Sequence, residues 1–159
     1  MEIIAHRINT VEQLRNIDFE YGIEVDIRTY GQDLVISHDP FKQSTNFNEW
    51  IKFYNHGTLI LNVKEDGLET RLLNEMKNYN IKKFFILDQA FPYLLNTIKS
   101  GEKRCAIRFS EYESINTVLS LKEIVDWVWI DFFTKFPLDY DSFLLLKKNK
   151  FKLCIVSPE

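Results

Sequence analysis

Glycine and proline are scarce in this chain of 159 residues, at 5 and 4, so the few present act as punctuation between elements. There are two cysteines, Cys105 and Cys154, and both lie inside apolar runs. Two are too few for a disulfide framework, and their spacing does not suit a zinc site, so they read as reduced, buried thiols. No apolar run approaches the ~18 residues of a membrane span. The opening Met-Glu-Ile-Ile-Ala-His-Arg has no basic segment followed by an apolar one. The expectation is therefore a cytoplasmic chain. Nor is there an excess of positive charge: 20 Lys and Arg stand against 23 Asp and Glu, for a net charge of −3. Without a basic field, nucleic acid is not an expected partner. Glycine-rich nucleotide-binding turns of the G-x-G-x-x-G or G-x-x-x-x-G-K-[ST] type are absent too.

What remains is ordinary globular composition, 45% hydrophobic and 27% charged, enough for one domain. Short runs rich in Ile, Val, Phe and Trp begin at Ile3, Gly22, Leu34, Leu59, Phe84, Cys105, Trp127 and Leu153. They read as buried strands. Between them lie helical stretches. Thr10 with Gln13 three residues later makes a capping box. Helical spacing recurs over 69–79, from Phe91 to a C-terminal cap at Gly101, over 114–125 and over 140–148. Gly31-Gln32-Asp33 separates two strand-like runs, so the second strand continues into a hairpin. The strand–helix beat, about one strand per two dozen residues, predicts successive βαβ units and a parallel sheet. An open doubly wound sheet and a (β/α) barrel both fit this beat. Lacking nucleotide-binding turns, the chain reads as a single TIM-type barrel domain over residues 1–159. Seven of the eight strands can be counted and the last unit is missing. Either the chain is a piece of a longer frame or the barrel is open.

Polar residues collect at the carboxyl ends of these strands, where β/α folds bind ligands. His6 closes the first. Glu24 and Asp26, two apart, face the same side near the end of the second, and Asn62 and Lys64 repeat the pattern on the third. His38 and Asp39 end the hairpin, and Asp88, Arg108 with Ser110, Asp131, and Ser157 with Glu159 end the later strands. Charges on buried strands are costly unless paired or ligated, so this recurrence marks a functional face. Two histidines, a Glu-x-Asp pair and a lysine are the parts for metal-assisted phosphoryl chemistry. The carboxylates suit Mg²⁺ or Ca²⁺, one histidine can act as base and the other as acid, and Arg7 and Lys64 can neutralise a phosphate.

The ordered series His6-Arg7, Asn9-Thr10, Gly22-Ile-Glu24-Val-Asp26, Thr29, Gly31 and His38-Asp39 resembles the N-terminal signature of the glycerophosphodiester phosphodiesterase family. Leu61-Asn62-Val63-Lys64 resembles its third-strand E-x-K element, and the stretch from Phe84 follows it more loosely. The strong part covers residues 3–39, with weaker support to about residue 95. The resemblance implies a TIM-barrel phosphodiesterase of the phosphatidylinositol-phospholipase-C-like superfamily. His6 and His38 would be the acid/base pair, and Glu24, Asp26 and Asn62 the ligands of a divalent metal. Arg7 and Lys64 would contact the phosphate of a small-molecule phosphodiester. Asn62 stands where the family has a third acidic ligand, which removes a charge from the site. Glu65, one residue further along the strand, points to the opposite face. Ile8 replaces the family's glycine, the loop after His6 is short, and the segment from Pro40 to Thr58 is smaller than the usual substrate-covering insertion. These departures put glycerol specificity in question. They leave open a different phosphodiester, such as the phosphoglycerol or sugar-phosphate of a surface polymer, and a non-catalytic relative that binds a phosphorylated ligand.

Several residues carry plainer readings. Arg108 either holds an anionic substrate or pairs with Asp88 or Asp131. His56 reads as a solvated turn residue, Trp127 and Trp129 as packing, and Glu111 and Glu113 as capping or solvated charges. The sequence assigns no oligomeric state.

Overall fold

The computed structural model describes residues 1–157, so Glu159 lies outside the described residues. The chain divides into two compact units, Met1–Tyr93 and Leu94–Glu159.

The first unit is built on a six-stranded sheet. Its strands are β1 (Ile4–Ala5), β2 (Gly22–Tyr30), β3 (Asp33–Ile36), β4 (Thr45–Asn46), β5 (Leu59–Val63) and β6 (Phe84–Leu87), in the order β4-β3-β2-β5-β6 with β1 also paired to β2. β1, β2, β5 and β6 are mutually parallel, while β3 runs antiparallel to β2 and β4 antiparallel to β3. β2 is the axis of the unit. It holds β1 and then β3 along one edge and β5 along the other. Its first six residues are all buried, as expected for a strand covered on both faces. Gly22 is required there: a Cβ would meet the Ile4 Cδ1 at 2.3 Å and the Thr58 carbonyl oxygen at 2.7 Å. Gly31, at φ 62°, makes the hairpin turn into β3.

Helix α1 (Val11–Arg15) starts at the expected capping box. The Gln13 amide donates to Thr10 Oγ1 at 3.1 Å and the Thr10 amide to Gln13 Oε1 at 3.0 Å. The sequence reading assigned no element between Pro40 and Thr58. That stretch holds β4, the short helix α2 (Phe47–Trp50) capped by Asn46, and a 3₁₀ turn at Ile51–Phe53. Phe47, Trp50 and Ile51 bury themselves against Leu14, Ile23, Val25, Ile36 and Leu61 in the unit's core. Each such side chain contributes about 1.5–3 kcal/mol of transfer free energy. Helix α3 (Glu69–Asn78) adds Leu72 and Met76 to the same cluster.

Helix α4 (Phe91–Lys99) leads into the second unit and is followed by Gly101 at φ 93°. Three parallel strands follow, β7 (Ala106–Phe109), β8 (Trp127–Ile130) and β9 (Lys152–Ile155), in that order, with α5 (Ile115–Ser120) and α6 (Tyr140–Lys148) between them. Phe109, Val118, Val128, Ile130, Leu146 and Phe151 form one core, and Leu94, Cys105, Leu121 and Val125 another. α5 is shorter than the helical spacing over 114–125 predicts, ending at Ser120. Both cysteines are free thiols, Cys105 buried and Cys154 partly so.

The fold is thus mixed α/β with the expected strand–helix alternation. The expected barrel is seen only in part. Strand pairing among the described residues stays within sheets of six and three strands, with β6 and β7 at the ends of the two orders, and does not run round one ring.

Candidate functional site

The carboxyl ends of β1 and β5 and the middle of β2 in the first unit bring most of the expected residues together. β2 runs on to Tyr30, so Glu24 and Asp26 lie inside the strand, near the end of its pairing with β5, and not at its carboxyl end. Asp26 lies directly opposite Asn62 in the β2–β5 register, and Glu24 one pleat away on the same face. The Glu24 carboxylate is almost wholly buried, at 1% exposure. Its Oε1 accepts from Asn62 Nδ2 at 2.7 Å and its Oε2 from the Arg7 backbone amide at 2.8 Å. His6 Nε2 stands 3.7 Å from the same Oε2. Arg7 takes φ 55°, a left-handed turn that aims its amide back at the carboxylate. So Arg7 touches the acidic pair through its backbone.

Asp26 is fully buried. Its Oδ2 accepts from Asn9 Nδ2 at 2.9 Å, and its backbone amide donates to Asn9 Oδ1 at 3.2 Å. The sequence reading used Asn9 only as the opening of a helix; its role in holding Asp26 is a contact between residues 17 apart that no periodicity encodes. Lys64 Nζ sits 3.4 Å from Asp26 Oδ1 and 3.4 Å from Asp88 Oδ2, spanning the two acids. Asp88, read from the sequence as a strand end and a possible partner of Arg108, is therefore part of this cluster. It too adopts left-handed backbone, at φ 61°.

Burial pushes the Glu24 carboxyl above its ordinary range, and the neighbouring Asp26 charge adds to the effect. The hydrogen bonds from Arg7 and Asn62 and the nearby His6 offset part of it. Of the buried oxygens here, Asn62 Oδ1 has no hydrogen-bond partner, and Asp26 Oδ1 has only the Lys64 ammonium at 3.4 Å. A buried oxygen left without a donor is costly, and such atoms fit a hard cation that takes oxygen ligands. Among the described residues, no three His, Cys, Asp or Glu side chains gather as a metal-binding group. A divalent ion held here would rely on the Asn62 amide oxygen for its third protein ligand.

His38 follows β3, and the Ser37 amide bonds the Asp26 carbonyl at 2.9 Å, which brings the His38 loop alongside the acidic strand. The ring is half exposed, with Nδ1 3.2 Å from Asp39 Oδ1. Its backbone is fixed by Arg28, which the sequence reading missed. Arg28 Nε donates to the His38 carbonyl at 3.0 Å and Nη1 to the Lys64 carbonyl at 2.8 Å. The Arg28 side chain ties the loop of an expected catalytic residue, His38, to the strand end that carries Lys64, an expected phosphate contact. Glu65, as expected, turns away from the acidic pair and accepts from the Thr29 hydroxyl.

Arg108 belongs to the second unit, where Nη1 contacts Asp131 Oδ2 at 2.6 Å and Nε lies 3.9 Å from Glu113. The ion pair is the reading the structure supplies for it. In the same unit Glu111 is more than a solvated charge. Its carboxylate accepts the backbone amides of Phe133, Thr134 and Lys135 and the Thr134 hydroxyl. Partial desolvation pushes this carboxyl up, but the converging amides outweigh it and bring the pKa down to about 2. His56 is not simply solvated either: its ring contacts Phe19 and Tyr54, and Nε2 lies 3.3 Å from the Ile17 carbonyl.

No family model matches the sequence, and no curated protein matches it. Solved structures do match the fold. One is a protein from Agrobacterium tumefaciens strain C58, provisionally assigned as a glycerophosphoryl diester phosphodiesterase. It is similar at a TM-score of 0.74 and 9% identity, over 97% of this chain and 83% of that one. A second, a provisionally assigned glycerophosphodiester phosphodiesterase from Galdieria sulphuraria, matches at a TM-score of 0.53 and 14% identity, over 98% of this chain and 93% of that one. At these identities the likeness is one of fold. No helix among the described residues is long and apolar enough to cross a membrane.

Proposed function

We propose that the chain is a phosphodiesterase that hydrolyses a glycerophosphodiester-like small molecule to a phosphomonoester and an alcohol. The observation that carries this reading is the buried acidic pair Glu24–Asp26. It meets Asn62 and Lys64 at the carboxyl end of β5, with His6 3.7 Å from Glu24. The fold likeness to the two provisionally assigned phosphodiesterases supports it.

Glu24, Asp26 and Asn62 are the residues that would hold a divalent ion, Mg²⁺ or Ca²⁺, and such an ion supplies Lewis-acid polarisation of the phosphoryl oxygens. The remaining work falls to this chain's own groups. Lys64, held between Asp26 and Asp88, presents its ammonium to the phosphate, and the Arg7 guanidinium adds a second positive charge. The nucleophile is either water or the neighbouring glycerol hydroxyl, in which case a water then opens the cyclic phosphate to the phosphomonoester. One of His6 and His38 takes the proton of the nucleophile as the new P–O bond forms. The other gives a proton to the departing alcohol oxygen as the old P–O bond breaks. His6 is oriented by the buried Glu24 carboxylate, and His38 by its loop's attachment to Asp26 and Arg28.

A second reading, a domain that binds a phosphorylated ligand without turning it over, is favoured by the hydrogen bond from Asn62 to Glu24. It gives that carboxylate a partner in the absence of any ion.

The test is ³¹P NMR of a panel of glycerophosphodiesters with Mg²⁺, with Ca²⁺ and with chelator, beside His38→Ala. Metal- and His38-dependent release of phosphomonoester is expected. No turnover across the panel with metal-induced thermal stabilisation would point to a different phosphodiester. No turnover and no stabilisation by either ion would favour the binding domain.

A further inference from the structure

The Lys64 ammonium stands equidistant from two carboxylates, 3.4 Å from Asp26 Oδ1 and 3.4 Å from Asp88 Oδ2. The two contacts differ in kind. The one to Asp88 has hydrogen-bond geometry, whereas Asp26 Oδ1 makes no hydrogen bond and meets the ammonium through charge alone. The other Asp26 oxygen, Oδ2, is committed to Asn9 at 2.9 Å. Oδ1 is therefore the oxygen that Asp26 has left for a divalent ion, and it is the one the ammonium faces.

Two cations cannot share that oxygen without conflict. The Asp26 carboxylate is buried and the Lys64 side chain is only 18% exposed, so water and salt screen their charges little. A divalent ion on Asp26 Oδ1 and an ammonium 3.4 Å from the same atom would repel strongly. Asp88 relieves the conflict, because it offers the ammonium a carboxylate that lies off the acidic pair. It follows β6 directly, at φ 61°, a left-handed backbone that aspartate adopts more readily than most residues.

We propose that Lys64 is a built-in competitor of the divalent ion for Asp26 Oδ1, and that Asp88 is the positioning residue that draws the ammonium off that oxygen. Metal affinity is then set partly by Asp88 acting through Lys64, and not by the ligands alone. An ammonium kept on Asp88 also stays beside the acidic pair, where the phosphate is expected. The proposal rests on the metal-assisted phosphodiesterase reading, but its test is one of binding and needs no turnover.

A double-mutant cycle on the full chain, read by calorimetric titration with Mg²⁺ or Ca²⁺ alone, tests it. Lys64→Met should bind either ion about tenfold more tightly than wild type, the scale on which groups around a metal's ligands act. Lys64→Gln repeats the comparison if the methionine variant does not fold. Asp88→Asn, which suits the same left-handed backbone, should weaken binding, and Asp88→Glu, which keeps the carboxylate, should recover part of the loss. The Asp88→Asn loss should be about tenfold larger in wild type than in the Lys64→Met background, the difference being the part that passes through the ammonium. Equal losses in the two backgrounds would make Asp88 a charge acting on the ion directly, and overturn the proposal. Binding by Lys64→Met no tighter than by wild type, or binding by neither, would overturn it too. Coupling between the two sites without turnover of any diester would keep this inference and remove the phosphodiesterase reading. Turnover without coupling would do the reverse.

Discussion

Asn62 Nδ2 donates to Glu24 Oε1 at 2.7 Å, while the amide's own oxygen lies buried without a donor. One residue thus quiets a buried carboxylate and leaves a vacancy for a positive partner. Asn62→Asp should exchange this arrangement for three acids. In chelator the variant should lose about 1–3 kcal/mol of stability, since a third buried charge goes unpaired. With Mg²⁺ or Ca²⁺ the loss should reverse, and the metal-induced rise in Tm should exceed that of wild type. A thermal-shift titration reads both halves; a variant indifferent to metal would remove Asn62 from the ligand set.

Glu24 makes a prediction about pH. Its folded pKa is raised by burial and by Asp26, so the folded state holds a proton that the unfolded chain releases more readily. The associated stability is present below the ordinary glutamate range and is lost as pH rises through the raised value. Glu24→Gln, which cannot ionise, should therefore be more stable than wild type at pH 7 in chelator, by about 1 kcal/mol. The gap should close as pH falls toward 4. Urea unfolding at several pH values checks the sign.

His6→Ala and His38→Ala should each lower turnover by about 10²–10⁴-fold, the usual worth of a positioned proton-transfer group. Neither is expected among the metal ligands, so the metal-induced Tm rise should survive in both. Loss of that rise in the His6 variant would make His6 a ligand.

Arg28→Ala should lower kcat more than it raises KM, because the guanidinium positions the His38 and Lys64 backbones and does not itself meet the phosphate. Arg28→Lys, able to reach one carbonyl, should recover only part of the loss. Full recovery by lysine would show that charge alone matters there.

Glu111→Gln should leave the amides of Phe133, Thr134 and Lys135 with a weaker acceptor. With a native pKa near 2, wild-type Glu111 contributes stability above the ordinary glutamate value that fades as pH falls toward 2. Faster amide exchange in residues 133–135 of the variant at neutral pH, and a smaller difference in acid, are the expected results.

The strand–helix rhythm was legible in the sequence because buried parallel strands are rich in β-branched and other apolar residues, so that the few polar residues on β2 and β5 stand out against an apolar run. The i, i+2 spacing placed Glu24 with Asp26 and Asn62 with Lys64 on one face, and the β2–β5 register agrees. What could not be read were links set by tertiary approach. Asn9 on Asp26, Arg28 on two carbonyls, Asp88 on Lys64 and the Glu111 nest join residues 10 to 36 apart through single side chains. Nor does apolar pattern say whether strands close a ring. Pairing order depends on β6 and β7 having neighbours, which local sequence does not encode.

β2 has consequences for motion as well. Bonded along both edges and buried through its first six residues, it belongs to the part of the unit that opens last, so its amides should be among the slowest to exchange with solvent. The acidic pair is therefore mounted on the least yielding piece of backbone in the first unit. His38, Phe41 and Glu65 ride on the loops around it. Adaptation to a new alcohol can proceed by altering those loops while the charged pair keeps its place, as rigid scaffolds with variable rims allow.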